Sequence, residues 1–145
     1  MSTVADRRVE QLDPHILTFL KGLEAQGGPP LNTLSPTDAR LVLVNVQRSV
    51  SVTKLPADSS DRTIPGGPTG EISLRIVRPQ GAGSVLPGVM YFHGGGWIWG
   101  DKETHDRLVR EIANGAQATV VFVDYARSPE AKYPIAIEQA YAATK

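Results

Sequence analysis

The run Val89-Met90-Tyr91-Phe92 passes through His93 into three consecutive glycines, Gly94, Gly95 and Gly96, and this break constrains the fold more than any other stretch. Four bulky apolar residues without a polar interruption read as a short strand buried on both faces. Glycine, lacking a Cβ, then lets the backbone turn through conformations closed to other residues, with its N–H groups bare. Two bare donors converging on one oxygen can hold an anion; in acyl transfer such donors lower the barrier to a charged tetrahedral intermediate by about 3 kcal/mol. The plainer alternative is a glycine turn with no chemistry. A nucleotide loop is excluded, because Trp97-Ile98-Trp99-Gly100 does not continue a Gly-x-Gly-x-x-Gly spacing and no Gly-Lys-Ser/Thr is present.

Composition narrows the partners. Fifteen basic and fifteen acidic residues cancel over 145, giving no electrostatic case for nucleic acid or an anionic membrane. The absence of cysteine removes disulfides, thiolate nucleophiles and cysteine-rich zinc sites. Met1 to Arg8 lead into no apolar segment, and no stretch approaches the roughly 20 apolar residues of a membrane span, so a cytoplasmic protein is expected. His15, His93 and His105 are too far apart in sequence for a helix-borne metal pair, and no metal or organic cofactor is expected.

Residues 1–50 read as helical. Asp13-Pro14 is a helix start, with Ile16, Leu20 and Leu23 at helical spacing, and Gly27-Gly28-Pro29-Pro30 is the stop. Ser35-Pro36-Thr37-Asp38 repeats the start as a capping-box-like sequence before Ala39, Val42, Val46 and Val50. This region is either a small structural bundle or a cap over a site built elsewhere. From 51 onward strands appear: one around Asp61–Ile64, then, after the turn Pro65 to Gly70, an alternating one from Glu71 to Ile76. That alternation puts Ile72, Leu74 and Ile76 in a core and Glu71, Ser73 and Arg75 in water, as in a half-exposed antiparallel edge. Beyond the glycines, a helix from Asp101 carries Leu108, Val109, Ile112 and Ala113 as its stripe and Asn114-Gly115 as its stop, and Val120–Val123 is a second buried strand. Strand, helix, strand implies a parallel pair. A last helix begins at Pro134 with Ile137, Ala140, Tyr141 and Thr144 on one face, and Lys145 falls inside it. His15 and His105 are most simply helix-surface residues.

His93-Gly94-Gly95-Gly96-Trp97, followed by Asp124-Tyr125-Ala126-Arg127-Ser128-Pro129-Glu130 and Tyr133-Pro134-Ile135-Ala136, resembles the hormone-sensitive-lipase family of α/β-hydrolases, including bacterial acetyl-esterase-like members. The similarity is strong over the second half of the chain and general over the first. It implies the N-terminal part of an α/β-hydrolase fold, a mostly parallel sheet with an antiparallel second strand, divided into a helical cap segment (1–50) and half of the hydrolase domain (51–145). By the same resemblance the backbone N–H groups of Gly95 and Gly96 form the oxyanion hole, His93 supports the loop, and Gly94 and Trp97 border the substrate. Trp97 has packing in the core as its ordinary alternative. The second position of the Tyr125 element, often Arg in relatives, is Ala126 here.

An esterase of this fold also needs a Gly-x-Ser-x-Gly elbow followed by Asp or Glu and then His. No serine in the chain has that flanking, and all three histidines precede the place such a serine would occupy. Three readings follow. The chain is part of a carboxylic-ester hydrolase whose Ser-Asp-His triad lies outside it, inactive alone, with a small ester as substrate and a second polypeptide carrying the rest of the domain. It is a receptor-like, non-catalytic member of the same fold that binds a small molecule. Or it is a cleavage product or split polypeptide.

Overall fold

The computed structural model describes residues 11–145; the Met1–Arg8 stretch lies outside the described residues. Two compact units are distinguished, one up to Leu34 and one from Ser35 to Lys145.

In the first unit, α1 (Pro14–Gln26) starts as its sequence dictates. The Asp13 carboxylate accepts from the His15 N–H at 2.8 Å, Pro14 occupies the first turn, and Gly27 ends the helix with φ +67°. No residue of α1 is buried, and His15 is exposed. A 3₁₀ turn (Leu31–Thr33) follows.

The second unit is a four-stranded sheet with helices on both faces. Its elements are α2 (Pro36–Ser49), β1 (Ala57–Pro65), β2 (Glu71–Pro79), β3 (Gly88–Phe92), α3 (Asp106–Ala116), β4 (Thr119–Asp124) and α4 (Ile135–Thr144). The strand order is β1-β2-β4-β3, with β2 antiparallel to both neighbours and β3 parallel to β4. Three strands therefore run one way and the second runs against them. Phe122, Val120, Val77, Val109 and Ala113 form a core on the α3 side; Ile72, Leu74, Val123 and Tyr125, backed by Ala136, Ala142 and Ala143, form the α4 side. At α2 the Ser35 hydroxyl accepts from the Asp38 N–H at 3.1 Å, capping the helix as its sequence implied, and donates to the Asp38 carboxylate at 2.6 Å.

Three expectations are corrected. β2 is interior, not an edge, and its polar side is covered too: Arg75 is only 14 % exposed, paired with Asp61 at 2.7 Å and Glu103 at 2.7 Å and donating to the Lys102 carbonyl. Alternation marks a strand's two faces but not what covers the second. β3, expected to be buried on both faces, is half-buried with Phe92 exposed, because β4 is its single strand neighbour among the described residues. The α3 helix begins at Asp106 after a succession of turns and ends at Gln117 in the left-handed region, so Gly115 lies inside it. Asp106 is buried yet charged: burial alone would push its carboxyl up, but Lys54 at 2.6 Å and Arg110 at 3.0 Å hold it below the usual range. On α4, Ala136, Gln139, Ala142 and Ala143 turn inward, and Ile137 and Tyr141, expected to share one face, are exposed. The inward side carries small residues and Gln139, which accepts from the Ala126 N–H at 2.7 Å and donates to the Thr69 hydroxyl at 2.6 Å.

Candidate functional site: the glycine loop at the strand ends

β3 and β4 are parallel neighbours, so the loops leaving their carboxyl ends lie side by side, where open α/β sheets bind ligands. The first is the glycine loop, Gly94–Gly100; the second runs from Tyr125 to Glu130.

Three contacts set the direction of the glycine loop's peptide planes. His93 is buried, its ring stacked on Tyr125 at 4.2 Å and on Phe122 at 5.3 Å. Its Nδ1 lies 2.8 Å from the Gly94 carbonyl, which can only accept, so Nδ1 carries the proton. Burial holds this imidazole below its ordinary pKa and hence neutral near pH 7. The Tyr125 hydroxyl donates to the His93 carbonyl. The Gly95 carbonyl accepts from the N–H groups of Ile98 at 3.1 Å and Trp99 at 3.0 Å. In a trans peptide the C=O and N–H point in opposite directions. Tying down the Gly94 and Gly95 carbonyls therefore turns the Gly95 and Gly96 N–H groups the other way, and among the described residues neither donates to a protein acceptor.

Glycine is required at two of these positions. At Gly95, with φ +118°, a Cβ would come within 2.5 Å of the Trp99 carbonyl oxygen; at Gly100, with φ +88°, within 2.5 Å of His93 Nδ1. Gly94 has open space around it. Trp97, at φ +59° and 57 % exposed, is not a core residue.

Gly96 and Trp97 line two adjoining clefts with Ala136 and Ile137 of α4: one of about 330 Å³ extending to Tyr133, another of about 360 Å³ reaching Phe92, His93 and Gly94. Gly95 instead borders a cavity of about 340 Å³ between α2 and α3 with Trp99 and His105. The structure thus gathers His93, Gly94, Gly96 and Trp97 at one cleft, while Gly94 and Gly95 together line the cavity toward α2 and α3. His105, expected on the surface, is half-buried, 5.2 Å from His93 between ring centroids and near Tyr91 and Phe122. Its position before α3, four residues from Asp101, signalled a helix start but not that the start tucks under the glycine loop.

The Tyr125–Glu130 loop and α2 brace the glycine loop from outside. The Ser128 N–H donates to the Trp97 carbonyl at 2.8 Å and Arg127 to the Gly100 carbonyl at 2.6 Å. Arg40 of α2 donates to the Ile98 carbonyl at 2.9 Å, to the Ser128 carbonyl at 2.7 Å, and to both Glu130 oxygens at 2.7 and 2.8 Å. Arg40 was not singled out in the sequence: one arginine in a capped helix carries no mark of a partner 58 residues away.

A mixed sheet with helices on both faces and a glycine loop at its strand ends fits part of an α/β-hydrolase, and residues 89–145 match the family model described as the alpha/beta hydrolase fold. A thermostable esterase from Pseudomonas putida superposes with a TM-score of 0.87 at 48 % identity, over 92 % of this chain and 41 % of its own. Esterase LipI of Mycobacterium tuberculosis is 51 % identical over 54 % of this chain and 25 % of its own length. An alpha/beta hydrolase of Acanthamoeba polyphaga mimivirus is 33 % identical over 97 % of this chain and 39 % of its own. The chain belongs to the hormone-sensitive-lipase-like α/β-hydrolases as a partial, N-terminal representative. It spans between 25 and 41 % of the length of these relatives. Among the described residues no helix is long and apolar enough to cross a membrane, and no group of acidic or histidine side chains could hold a metal ion.

Proposed function

We propose that this chain forms part of a carboxylic-ester hydrolase of short-acyl type, supplying the oxyanion loop and, through residues 1–50, a helical cap, with the Ser-Asp-His triad outside these 145 residues. The observation that carries the reading is the pair of N–H groups at Gly95 and Gly96, turned outward by anchored carbonyls and free of protein acceptors among the described residues. When a serine attacks an ester carbonyl, the carbonyl oxygen takes up the charge, and two fixed amides stabilise it without reorganisation. His93, neutral and proton-bearing at Nδ1, serves as a support for Gly94 rather than as a base. The naming of relatives as esterases, the largely apolar clefts beside Trp97 and the balanced charge support a small, neutral ester as substrate. The rest of the domain, on a second polypeptide or in continuation of this one, pairs along the Val89–Phe92 edge.

The test is turnover of short p-nitrophenyl acyl esters by the complete protein and by residues 1–145 alone. The complete protein is expected to hydrolyse them and the isolated chain is not, with a serine-directed phosphonate labelling a serine outside this chain. A labelled serine within residues 1–145 overturns the reading. So does a complete protein that binds esters without turnover, which is the receptor-like alternative.

A further inference from the structure

Arg40 makes four hydrogen bonds in three directions, and only two of them go to a charge. Its partner Glu130 is 63 % exposed, where an ion pair contributes little to stability, whereas the Arg40 side chain itself is 18 % exposed and lies against backbone. The remaining two bonds go to the carbonyls of Ile98 and Ser128, one from each loop at the strand ends. Both loops are also joined directly, Ser128 N–H to the Trp97 carbonyl.

The contact with Ile98 leads to the candidate oxyanion donors. Arg40 Nε holds the Ile98 carbonyl; the Ile98 N–H donates to the Gly95 carbonyl; and the Gly95–Gly96 peptide plane, so fixed, sets where the Gly96 N–H points. Ile98 is held from both sides, and nothing else among the described residues donates to its carbonyl. A planar guanidinium suits this task, since its donors diverge at fixed angles and reach three acceptors at once, which a lysine ammonium on a flexible stem does not reproduce.

We propose that Arg40 is a positioning residue for the glycine loop, aiming the Gly96 N–H through Ile98 and locking α2 and the Ser128–Glu130 segment to the loop, with Glu130 acting only to orient the guanidinium. This rests on the oxyanion reading of Gly95 and Gly96. Arg40 touches neither substrate nor the reacting atoms.

The experiment uses the complete hydrolase with Arg40→Ala, Arg40→Lys and Glu130→Gln. It measures kcat and KM for a short p-nitrophenyl ester, inhibition by a trifluoromethyl ketone that forms a tetrahedral oxyanion, and amide exchange at Gly96, Ile98 and Trp99. Arg40→Ala is expected to lower kcat by about 10- to 100-fold with KM within about threefold, because misaimed donors fail chiefly in the transition state. Fluoroketone affinity should fall in parallel, and exchange at the three amides should quicken. Arg40→Lys should recover part of this, and Glu130→Gln, which keeps both carbonyl contacts, should stay within about twofold of wild type. Normal kcat and fluoroketone affinity in Arg40→Ala overturns the proposal, as does an equal loss in Glu130→Gln, which assigns the effect to the ion pair. If Arg40→Ala does not fold, Arg40→Lys and Glu130→Gln decide by the same contrast. A wild-type protein without ester turnover refutes the esterase reading instead; the positioning role then stands or falls on whether Arg40→Ala changes exchange at Ile98 and Trp99.

Discussion

At the scale of single residues, neighbouring glycines differ sharply in what they tolerate. A methyl at Gly95 would press on the Trp99 carbonyl in a left-handed backbone, whereas one at Gly94 meets nothing. In the complete enzyme Gly95→Ala should therefore lower kcat by about 10²-fold or more with KM nearly unchanged, while Gly94→Ala should leave kcat within a few-fold, as steady-state kinetics on the two variants would reveal. Gly100→Ala meets His93 Nδ1 and the Gly94 carbonyl at φ +88° and should cost about 1–3 kcal/mol in denaturant unfolding. His93 sets a pH dependence. Its folded pKa lies below the ordinary value of about 6.5, so on acidification the unfolded chain takes up a proton first. The stability it contributes is full above about pH 6.5 and is lost as pH falls toward the folded value. His93→Asn, whose amide can still donate to Gly94, should flatten the pH-dependent unfolding slope below 6.5 by about one proton.

Elements owe their positions to a few bridging side chains. α4 is held to the β4 loop and to the β1–β2 turn by Gln139, buried at 4 % exposure between the Ala126 N–H and the Thr69 hydroxyl. Gln139→Leu keeps the volume but strands the Ala126 N–H, and should lower unfolding free energy by about 1–3 kcal/mol, measured by urea titration. The periodicity of α4 placed Ile137 and Tyr141 on one face of the helix but did not say which face meets the sheet; Ala136, Gln139, Ala142 and Ala143 turn inward and Ile137 and Tyr141 are exposed. Helical spacing identifies faces but not which of them the rest of the chain covers.

For the molecule as a whole, the β3 edge bears on assembly. Val89 to Phe92 have β4 on one side and no strand on the other among the described residues, and the nearby Phe92, Ile137 and Tyr141 are 44, 51 and 63 % exposed. An unpaired strand flanked by apolar surface favours association. Residues 1–145 expressed alone are expected to self-associate or to lack protection at Met90–Phe92; sedimentation together with hydrogen exchange tests this. A monomer with strong protection there and cooperative unfolding would mean that the chain closes its own sheet.

The sequence by itself determined what depends on near neighbours. Asp13-Pro14 and Ser35-Pro36 begin helices because each cap lies within three residues of the N–H it satisfies. β4 forms from its own bulky run, and Gly95 and Gly96 mark a turn because the backbone there takes positive φ. From the same local pattern the family was legible. Tertiary structure alone decided that β2 is interior, that His105 packs beside His93, that Gly95 borders a different cavity from Gly96, and that Arg40 reaches Ile98 and Glu130. Each of these joins residues far apart in the chain, and spacing within one element carries no information about which distant carbonyl or ring will be brought to it.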